Sequence, residues 1–321
     1  WTPCSLPKPA RRHGMRVAGS GATAGVRTRR RRTGEAGWAW LMVAPLLLGL
    51  GVFYLWPIAQ TLYFSFTEWG PFGGHTWSGL DNYRRLIDDE EVRGAVWNTL
   101  RYTFLSLVGI PLAVVFAAML NHKGVRGVGL YRAMFFLPVV TLPAAVAMVW
   151  RYLLNGDFGI ANHLLSLAGI DGPAWVADGR FALYSLVVVG IWSSLGYNIV
   201  ILLAGLQAIS TELYEASALD GAGPVKQFLS ITVPMLSPSI FFVTVLSVIG
   251  SLQMFDLVYV MVGRTSPALE STQTIIYLFY ERAFVQNDRG YAAAIVLVLL
   301  VLVLVMTFLQ FRLQRRWVHY A

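Results

Sequence analysis

Charged residues are scarce in this chain. Only 13% of its 321 residues are Asp, Glu, Lys or Arg, whereas 56% are hydrophobic and the mean hydropathy is +0.58. A soluble domain carries about 25% charged residues because its surface must face water. A chain with so few charges must present much of its surface to lipid instead. The composition therefore excludes an ordinary soluble globular protein.

Cysteine and histidine are also rare. Cys4 is the only cysteine, so the chain can form neither an internal disulfide nor a cysteine metal cluster. The five histidines fall in tails and loops, where none shares an apolar span with a serine or an acid at helical spacing. No glycine-rich phosphate loop followed by Lys-Ser or Lys-Thr is present. We therefore expect no catalytic residues, no metal and no cofactor bound by this chain.

Long apolar runs dominate the rest of the sequence. About 20 helical residues cross a hydrocarbon core about 30 Å thick, and the backbone polar groups of a segment in lipid must be paired within it. We predict six transmembrane helices, at 38–60, 97–120, 131–154, 182–205, 238–262 and 291–311. Four prolines in or near these runs predict local kinks: Pro57, Pro111, Pro138 and Pro143. The predicted fold class is an all-α polytopic membrane protein.

Basic residues are unevenly distributed between alternate loops. Residues 1–32 hold nine Lys and Arg and no acid. With Arg101 and Arg151 left out because they lie at membrane edges, 16 basic residues fall on the side of the N-terminus and 7 on the other side. Cytoplasmic loops carry the excess of positive charge in membrane proteins, so both termini are predicted to be cytoplasmic. We interpret the basic tail as an arm beside anionic lipid rather than a nucleic-acid site.

The predicted spans divide the chain into five segments. Residues 1–36 are a basic, disordered cytoplasmic tail, and 37–66 hold the first transmembrane helix. Its apolar run is longer than that of a signal peptide, so we expect a retained anchor. An extracytoplasmic loop at 67–94 precedes the main transmembrane domain at 95–311, and 312–321 form a cytoplasmic C-terminal tail.

One polar loop, 206–237, is too polar to cross the membrane and long for a connection between two helices. Residues 211–219 favour a helix with acids near its start, where the helix dipole favours them. Glycines and a proline at 220–224 interrupt it, and a second short helix is predicted at 225–233. Two short helices joined by a tight turn would suit docking into a groove on a partner.

This loop resembles the EAA motif of binding-protein-dependent ABC permeases. The family pattern is Glu-Ala-Ala, then Asp-Gly-Ala three residues on, then Phe, Ile, Leu-Pro and a later Pro. Ser217 stands in place of the second alanine, and Val233 in place of the leucine. The residues that match or replace the pattern are Glu215, Ala216, Ser217, Asp220, Gly221, Ala222, Phe228, Ile231, Pro234 and Pro238. The resemblance implies that they couple the permease to an ATPase; an inert connector is the alternative.

Segments on both sides of the motif resemble the sugar-importing branch, that is, the maltose and glycerol-3-phosphate type permeases. These segments are VWRYLLNGDFGIANHLLSLAG, IWSSLGYNIVILLAGLQAIS and VLSVIGSLQMFDLVYVMVGR. The chain departs from the branch at 262–267, where Thr-Gly-Gly-Gly-Pro is common. The resemblance implies a type I ABC importer permease fold over 95–311, with a path for a sugar or sugar-like solute. An ion-coupled secondary transporter is the alternative, although such transporters use intramembrane carboxylates and Asp256 is the only acid inside a predicted span.

The resemblance also implies partners. These are a dimer of ATP-binding cassette subunits that bind ATP and Mg²⁺, a second permease subunit, an extracytoplasmic solute-binding protein and membrane lipid. We expect the second permease to be a sister chain rather than another copy of this one, and no nucleic acid as a partner. The expected location is the plasma (inner) membrane of a bacterium or archaeon. Whether the solute is a sugar, a polyol or glycerol phosphate stays open at this point.

Polar residues within the predicted spans are the candidates for a substrate path, because such residues are costly in lipid. Sugars need neutral hydrogen-bonding groups together with aromatic faces. The candidates are Trp192, Ser194, Tyr197 and Asn198 on the fourth span, and Ser251, Gln253 and Asp256 on the fifth. Two alternatives remain open: these side chains could join helices to one another, and Asp256 could be hydrated or paired with Arg264.

Overall fold

The computed structural model describes residues 33–69, 74–122, 127–315 and 318. Most of the predicted N-terminal tail, and part of the predicted C-terminal tail, therefore lie outside the described residues. The chain divides into two compact units, at 1–54 and 55–321. The first unit contains helix α1 (Thr33–Leu50), and a π-helical turn follows at Gly51–Leu55. The described side chains of this helix, from Ala39 onwards, are apolar and largely exposed, as expected of a surface in contact with lipid.

The second unit begins with a short helix and a β-hairpin. Helix α2 (Trp56–Phe64) precedes two antiparallel strands, β1 (Thr67–Trp69) and β2 (His75–Trp77). The helices that follow are α3 (Asp81–Asp88), α4 (Glu90–Ser106), α5 (Gly109–Leu120), α6 (Val128–Val140), α7 (Pro143–Leu153), α8 (Ile160–Leu167) and α9 (Ala182–Gln207).

The second half of this unit alternates α-helices with π-helical turns. It contains α10 (Thr211–Leu219), α11 (Pro224–Gln227), a π-helical turn (Phe228–Thr232), α12 (Val233–Met235) and α13 (Ser237–Leu252). A π-helical turn at Val258–Val262 leads to α14 (Leu269–Thr272), α15 (Ile275–Tyr280), a further π-helical turn (Glu281–Val285) and α16 (Arg289–Gln314).

The membrane spans agree with the predicted fold class. Among the described residues, four segments are long and apolar enough to cross a bilayer: Ala39–Phe64, Glu90–Leu120, Ala182–Gln207 and Arg289–Gln314. Six spans result if each of two bent helix pairs counts as one. Helices α6 and α7 meet at an angle of 101°, and Pro224–Met235 meets α13 at 66°. The prediction of a helical membrane protein is confirmed, and the four to six candidate spans agree with the six predicted.

Two predicted helices are not continuous, so that part of the prediction is wrong. The run at 131–154 breaks at Thr141 and Leu142, because a residue before proline is driven out of the helical region and Pro143 starts a new helix. The run at 238–262 is broken at 253–255, between the end of α13 at Leu252 and the helical segment that ends at Val262. At this second break the Thr274 hydroxyl donates to the Met254 carbonyl (2.9 Å), which satisfies a group that the broken helix leaves free.

Close backbone contact joins α9 to its neighbours. A Cβ atom placed on Gly196 would lie 1.9 Å from the carbonyl oxygen of Phe135 in α6, so only glycine permits this approach. Beside it, α5 and α9 share a core of small and branched side chains that includes Ala113, Ala117 and Leu202. Since α9 contacts α4, α5, α6 and α13, it is the central helix of the unit.

A polar cluster fixes the start of α4 against α16. The Tyr291 hydroxyl donates to the Asp89 carboxylate (2.6 Å), Arg282 pairs with Glu91 (2.7 Å), and Arg85 pairs with Asp288 (2.7 Å). Burial alone would raise the pKa of Asp89, but hydrogen bonds from Tyr291 and two backbone N–H groups, with the charge of Arg282, lower it below the ordinary value. The corner at the end of α3 is thereby tied to the end of the bundle where α16 begins.

Candidate functional site

The helix breaks at 141–142 and 253–255 meet at one cavity. Its walls come from α4, α9, the break between α6 and α7, and the end of α13, and its volume is about 440 Å³. Irregular backbone at membrane depth is tolerated where it is buried in protein or lines a water-filled cavity. Transporters build their solute sites at such discontinuous helices. The cavity is therefore the candidate solute site of this chain.

Six of the seven predicted path residues line this cavity. Ser194, Tyr197 and Asn198 come from α9, whereas Ser251, Gln253 and Asp256 come from the end of α13 and the segment after it. Asn198 is 4% exposed, and the other two α9 residues are open to the cavity. Two distant stretches of the sequence thus meet at one site. Their role in transport stays a prediction.

Trp192 is the predicted path residue that does not line the cavity. Its ring packs edge-to-face against Trp150, with the centroids 5.4 Å apart. Phe255 supplies an aromatic surface within the cavity, and its ring stacks on Tyr259 with the centroids 5.2 Å apart. The aromatic surface of the site is therefore provided by Phe255, Tyr197 and Tyr102 rather than by Trp192.

The second span contributes residues that the sequence reasoning missed. Tyr102 and Ser106 of α4 line the cavity together with Ser247 of α13. The Ser106 and Ser251 hydroxyl groups are hydrogen-bonded at 2.8 Å, which joins α4 to α13. Tyr102 and Ser106 are four residues apart, so they lie on one helix face. That spacing was the available signal, but Tyr102 stands between Arg101 and Thr103, so it is not conspicuous as a polar residue of the span.

Asp256 is the only charged side chain lining the cavity. It is exposed, and no side chain in the described ranges forms an ion pair or hydrogen bond with it. Arg264 pairs instead with Glu281 at 2.8 Å, so the alternative in which Arg264 neutralises Asp256 is wrong. Tyrosine, serine, threonine, asparagine and glutamine side chains provide the other polar groups of the wall.

The loop between α9 and α13 forms the predicted helix, turn and helix. The Ser210 hydroxyl caps α10 by accepting from the backbone N–H of Glu212 (3.3 Å). Gly221 ends this helix with φ +75°, a conformation that glycine adopts without strain. The N–H groups of Gly221 and Ala222 return to the carbonyls of Ala218 and Ser217, both at 3.0 Å, as in a Schellman motif.

The second short helix is longer than predicted, because it continues past Pro234 to Met235. The wider π-helical turn at Phe228–Thr232 precedes that proline. Tyr214 holds the two short helices together: its hydroxyl is hydrogen-bonded to Thr232 (3.0 Å), and its carbonyl accepts from Gln227 (3.3 Å). The predicted end of this second helix, Val233, lies two residues before its observed end at Met235.

The motif residues divide between two faces of this loop. Phe228 and Ile231 pack against the core of α5, α9 and α13 and hold the loop in place, and Pro234 is half-buried. Glu215, Ala216, Asp220 and Gly221 are exposed, whereas Ser217 and Ala222 are half-buried. Four large apolar side chains are also exposed on this loop: Leu219 (90%), Val225 (73%), Leu229 (61%) and Leu213 (41%). The outward face thus combines apolar area with the acids of the motif.

A polytopic helical fold with a polar cavity on broken helices and an exposed helical loop defines a membrane permease. Residues 109–319 match the family described as "Binding-protein-dependent transport system inner membrane component". This match covers more than half of the chain, so the chain belongs to that family. The family predicted from the EAA motif is confirmed.

Relatives of known annotation align over almost the whole chain. The probable ABC transporter permease protein YesP of Bacillus subtilis (strain 168) is 33% identical over 311 residues, which is 95% of this chain and 98% of that protein. The sn-glycerol-3-phosphate transport system permease protein UgpA of Escherichia coli (strain UTI89 / UPEC) is 34% identical over 284 residues, or 88% and 95% of the two chains.

Solved structures share the fold. A chain of a bacterial ABC transporter involved in the import of the acidic polysaccharide alginate superimposes with a TM-score of 0.77 at 23% identity, covering 88% of this chain and 96% of that one. A chain of the bacterial alginate ABC transporter in complex with alginate pentasaccharide-bound periplasmic protein gives 0.76 at 23% identity, covering 89% and 98%. The predicted ABC importer permease fold is confirmed.

Proposed function

We propose that this chain forms part of the path by which an ABC importer carries a sugar or sugar-like solute, with ATP hydrolysed on a partner subunit. The observation that carries the proposal is the cavity of about 440 Å³ at which the helix breaks at 141–142 and 253–255 meet. The named relatives support the substrate class, because glycerol phosphate and alginate are both solutes with hydroxyl groups. Family membership favours this reading over ion-coupled transport.

The cavity wall fits a hydroxylated solute. Ser194, Asn198 and Gln253 offer neutral donors and acceptors, and Tyr197 and Phe255 offer ring faces on which sugar C–H groups can pack. Because the helix breaks open this wall, its polar groups can hydrogen-bond to a solute as well as to neighbouring helices. The chain supplies one side of the path, and a second permease, a sister chain, supplies the other.

The loop between α9 and α13 is the proposed joint with the ATPase dimer. Glu215 and Gly221 lie on its exposed side, beside the apolar surface of Leu219 and Val225. Burying such apolar area in a groove of the partner supplies affinity, while Phe228 packs the loop against the spans. Closure of the ATPase dimer would then move α9 and α13, between which the cavity lies. ATP and Mg²⁺ are bound by the partner, with no cofactor on this chain.

The proposed orientation places this loop and both termini in the cytoplasm, in agreement with the excess of basic residues on that side. The hairpin and α3 then face the outside of a bacterial or archaeal plasma membrane, where a solute-binding protein delivers the substrate. Trp77 is an exposed aromatic residue on this outer surface. The segment boundaries proposed from the sequence, including a permease domain at 95–311, follow the same arrangement.

ATP-driven uptake in vesicles that hold the chain with its co-encoded sister permease, ATPase and binding protein tests the proposal. Glu215→Ala should abolish uptake and co-purification of the ATPase while membrane insertion persists. Glu212→Ala is the matched control, since Glu212 is an exposed acid on the same helix but lies outside the motif. Full uptake by the Glu215 variant, or equal loss in both variants, would contradict the proposed joint.

A further inference from the structure

We infer that this cavity selects against anions, and that its solute is a neutral or cationic polyhydroxylated compound, such as an uncharged sugar, a polyol or an amino sugar. The inference rests on the proposed function, because it concerns the same cavity. It goes beyond what the relatives indicate: UgpA is named for sn-glycerol 3-phosphate and the solved transporters for an acidic polysaccharide, and both of these solutes are anions.

The charge of the cavity wall is the first argument. Twenty-one residues line the cavity; none of them is Lys, Arg or His, and one is an acid, Asp256. Sites that bind phosphate or carboxylate groups place Arg, Lys or a helix N-terminus against them. The helix start at this wall, Pro143 of α7, has no backbone N–H, and the N–H groups of Ala145 and Val146 donate to the Leu142 carbonyl. This wall offers hydroxyl and amide groups instead, so it contains no cationic side chain to replace the hydration of an anion.

Two basic residues on segments that continue from the cavity wall are already engaged. Arg264 pairs with Glu281 at 2.8 Å, and the guanidinium of Arg151 donates to the backbone carbonyl of Val260 at 3.1 Å. Neither side chain lines the cavity. Within the described part of the chain, therefore, the carboxylate of Asp256 meets no cation.

Asp256 is placed where its charge acts on a solute in the cavity. It follows the break at 253–255, where the irregular backbone opens α13 to the cavity, and its side chain is exposed. Electrostatic interactions are much stronger in a cavity walled by protein and lipid than in bulk water. A solute that carries phosphate or carboxylate is repelled by this charge, and no cationic side chain on the wall offsets the repulsion. An ammonium group is attracted to the carboxylate, and hydroxyl groups can donate hydrogen bonds to it.

The test measures the local potential and requires no knowledge of the solute. Cys4 is the only cysteine of the chain, so Ser194→Cys in a Cys4→Ser background places one thiol on the cavity wall. The permease pair with its ATPase, in lipid nanodiscs without nucleotide, is reacted with two methanethiosulfonates, one bearing trimethylammonium and the other sulfonate. Rates are normalised to those with 2-mercaptoethanol, and the Cys4→Ser parent supplies the background from other chains.

We expect the normalised rate of the cationic reagent to exceed that of the anionic one by about tenfold or more, and Asp256→Asn to bring the ratio close to one. Ser247→Cys, a second reporter on the wall, should behave in the same way. A ratio near or below one with Asp256 present would overturn the inference, as would a ratio that Asp256→Asn leaves unchanged. Two unreactive reporters would refute a water-filled cavity. Since labelling needs no transport, these outcomes are distinct from failure of the proposed ATPase joint.

Discussion

Leu219 offers the sharpest perturbation of the proposed joint. It ends α10 and is 90% exposed, so its side chain adds little to the stability of the permease itself. Fully burying a leucine side chain contributes about 1.5–3 kcal/mol, and a factor of ten in affinity corresponds to about 1.4 kcal/mol. If the ATPase buries Leu219, Leu219→Gln should weaken its binding to the permease about 10- to 150-fold.

The assay is equilibrium binding of the ATPase dimer to the permease pair in nanodiscs. Leu219→Met is the matched control, because it keeps the apolar area and should retain wild-type affinity. The thermal unfolding of both variants should match that of the wild type, since exposed substitutions change stability by about 0.5 kcal/mol or less. Wild-type affinity for Leu219→Gln would refute the assignment of this surface, and lost insertion would indicate contact with lipid instead.

Three further substitutions test the fold around the site. Thr274→Val leaves the Met254 carbonyl at the helix break without its donor and should destabilise the permease by about 1–3 kcal/mol in thermal unfolding. Gly196→Ala presses a methyl group against α6 and should cost about 1–3 kcal/mol by overpacking. The lowered pKa of Asp89 contributes stability that is present above its ordinary value of 3.8 and lost as pH falls through the folded-state pKa. Tyr291→Phe removes one cause of that lowering, so the variant should lose less stability on acidification.

Each of these three predictions has its own control. Thr274→Ser keeps the hydroxyl and should retain most of the stability. Gly250→Ala places a Cβ atom in open space, so it should be tolerated where Gly196→Ala is not. For the acid experiment, unfolding of wild type and Tyr291→Phe is followed from pH 6 to pH 3, and parallel curves would rule out the proposed role of the Asp89 hydrogen bond.

The amino-acid pattern was sufficient to locate the spans and the loop, because both depend on local properties, but it did not show the breaks within two of the spans. Apolar length marks a membrane helix wherever it occurs, and the glycine and proline residues after Leu219 mark a turn by their backbone preferences alone. The motif residues Phe228 and Ile231 could be placed within the loop from the resemblance. Their packing against α5, α9 and α13 required the tertiary structure.

The cavity was predictable only in part, because it arises where distant segments meet. Polar residues such as Asn198 and Gln253 are conspicuous within apolar runs, so they could be identified. The break after Leu252 has no proline to mark it, and a hydroxyl from Thr274, twenty residues on from Met254, accommodates it. Tyr102 joins the site through the packing of α4 against α9, which no local pattern encodes. Tertiary contacts therefore decide which polar residues form the site.

The most direct test of the account asks whether ATP on the partner moves the cavity from one side of the membrane to the other. The single thiol of Ser194→Cys in the Cys4→Ser background is labelled with a membrane-impermeant maleimide from either side of sealed proteoliposomes holding the whole importer. We expect labelling from the side of the α10–α12 loop without nucleotide, and from the opposite side after trapping with ATP, vanadate and binding protein. Labelling from the same side in both states would contradict the account.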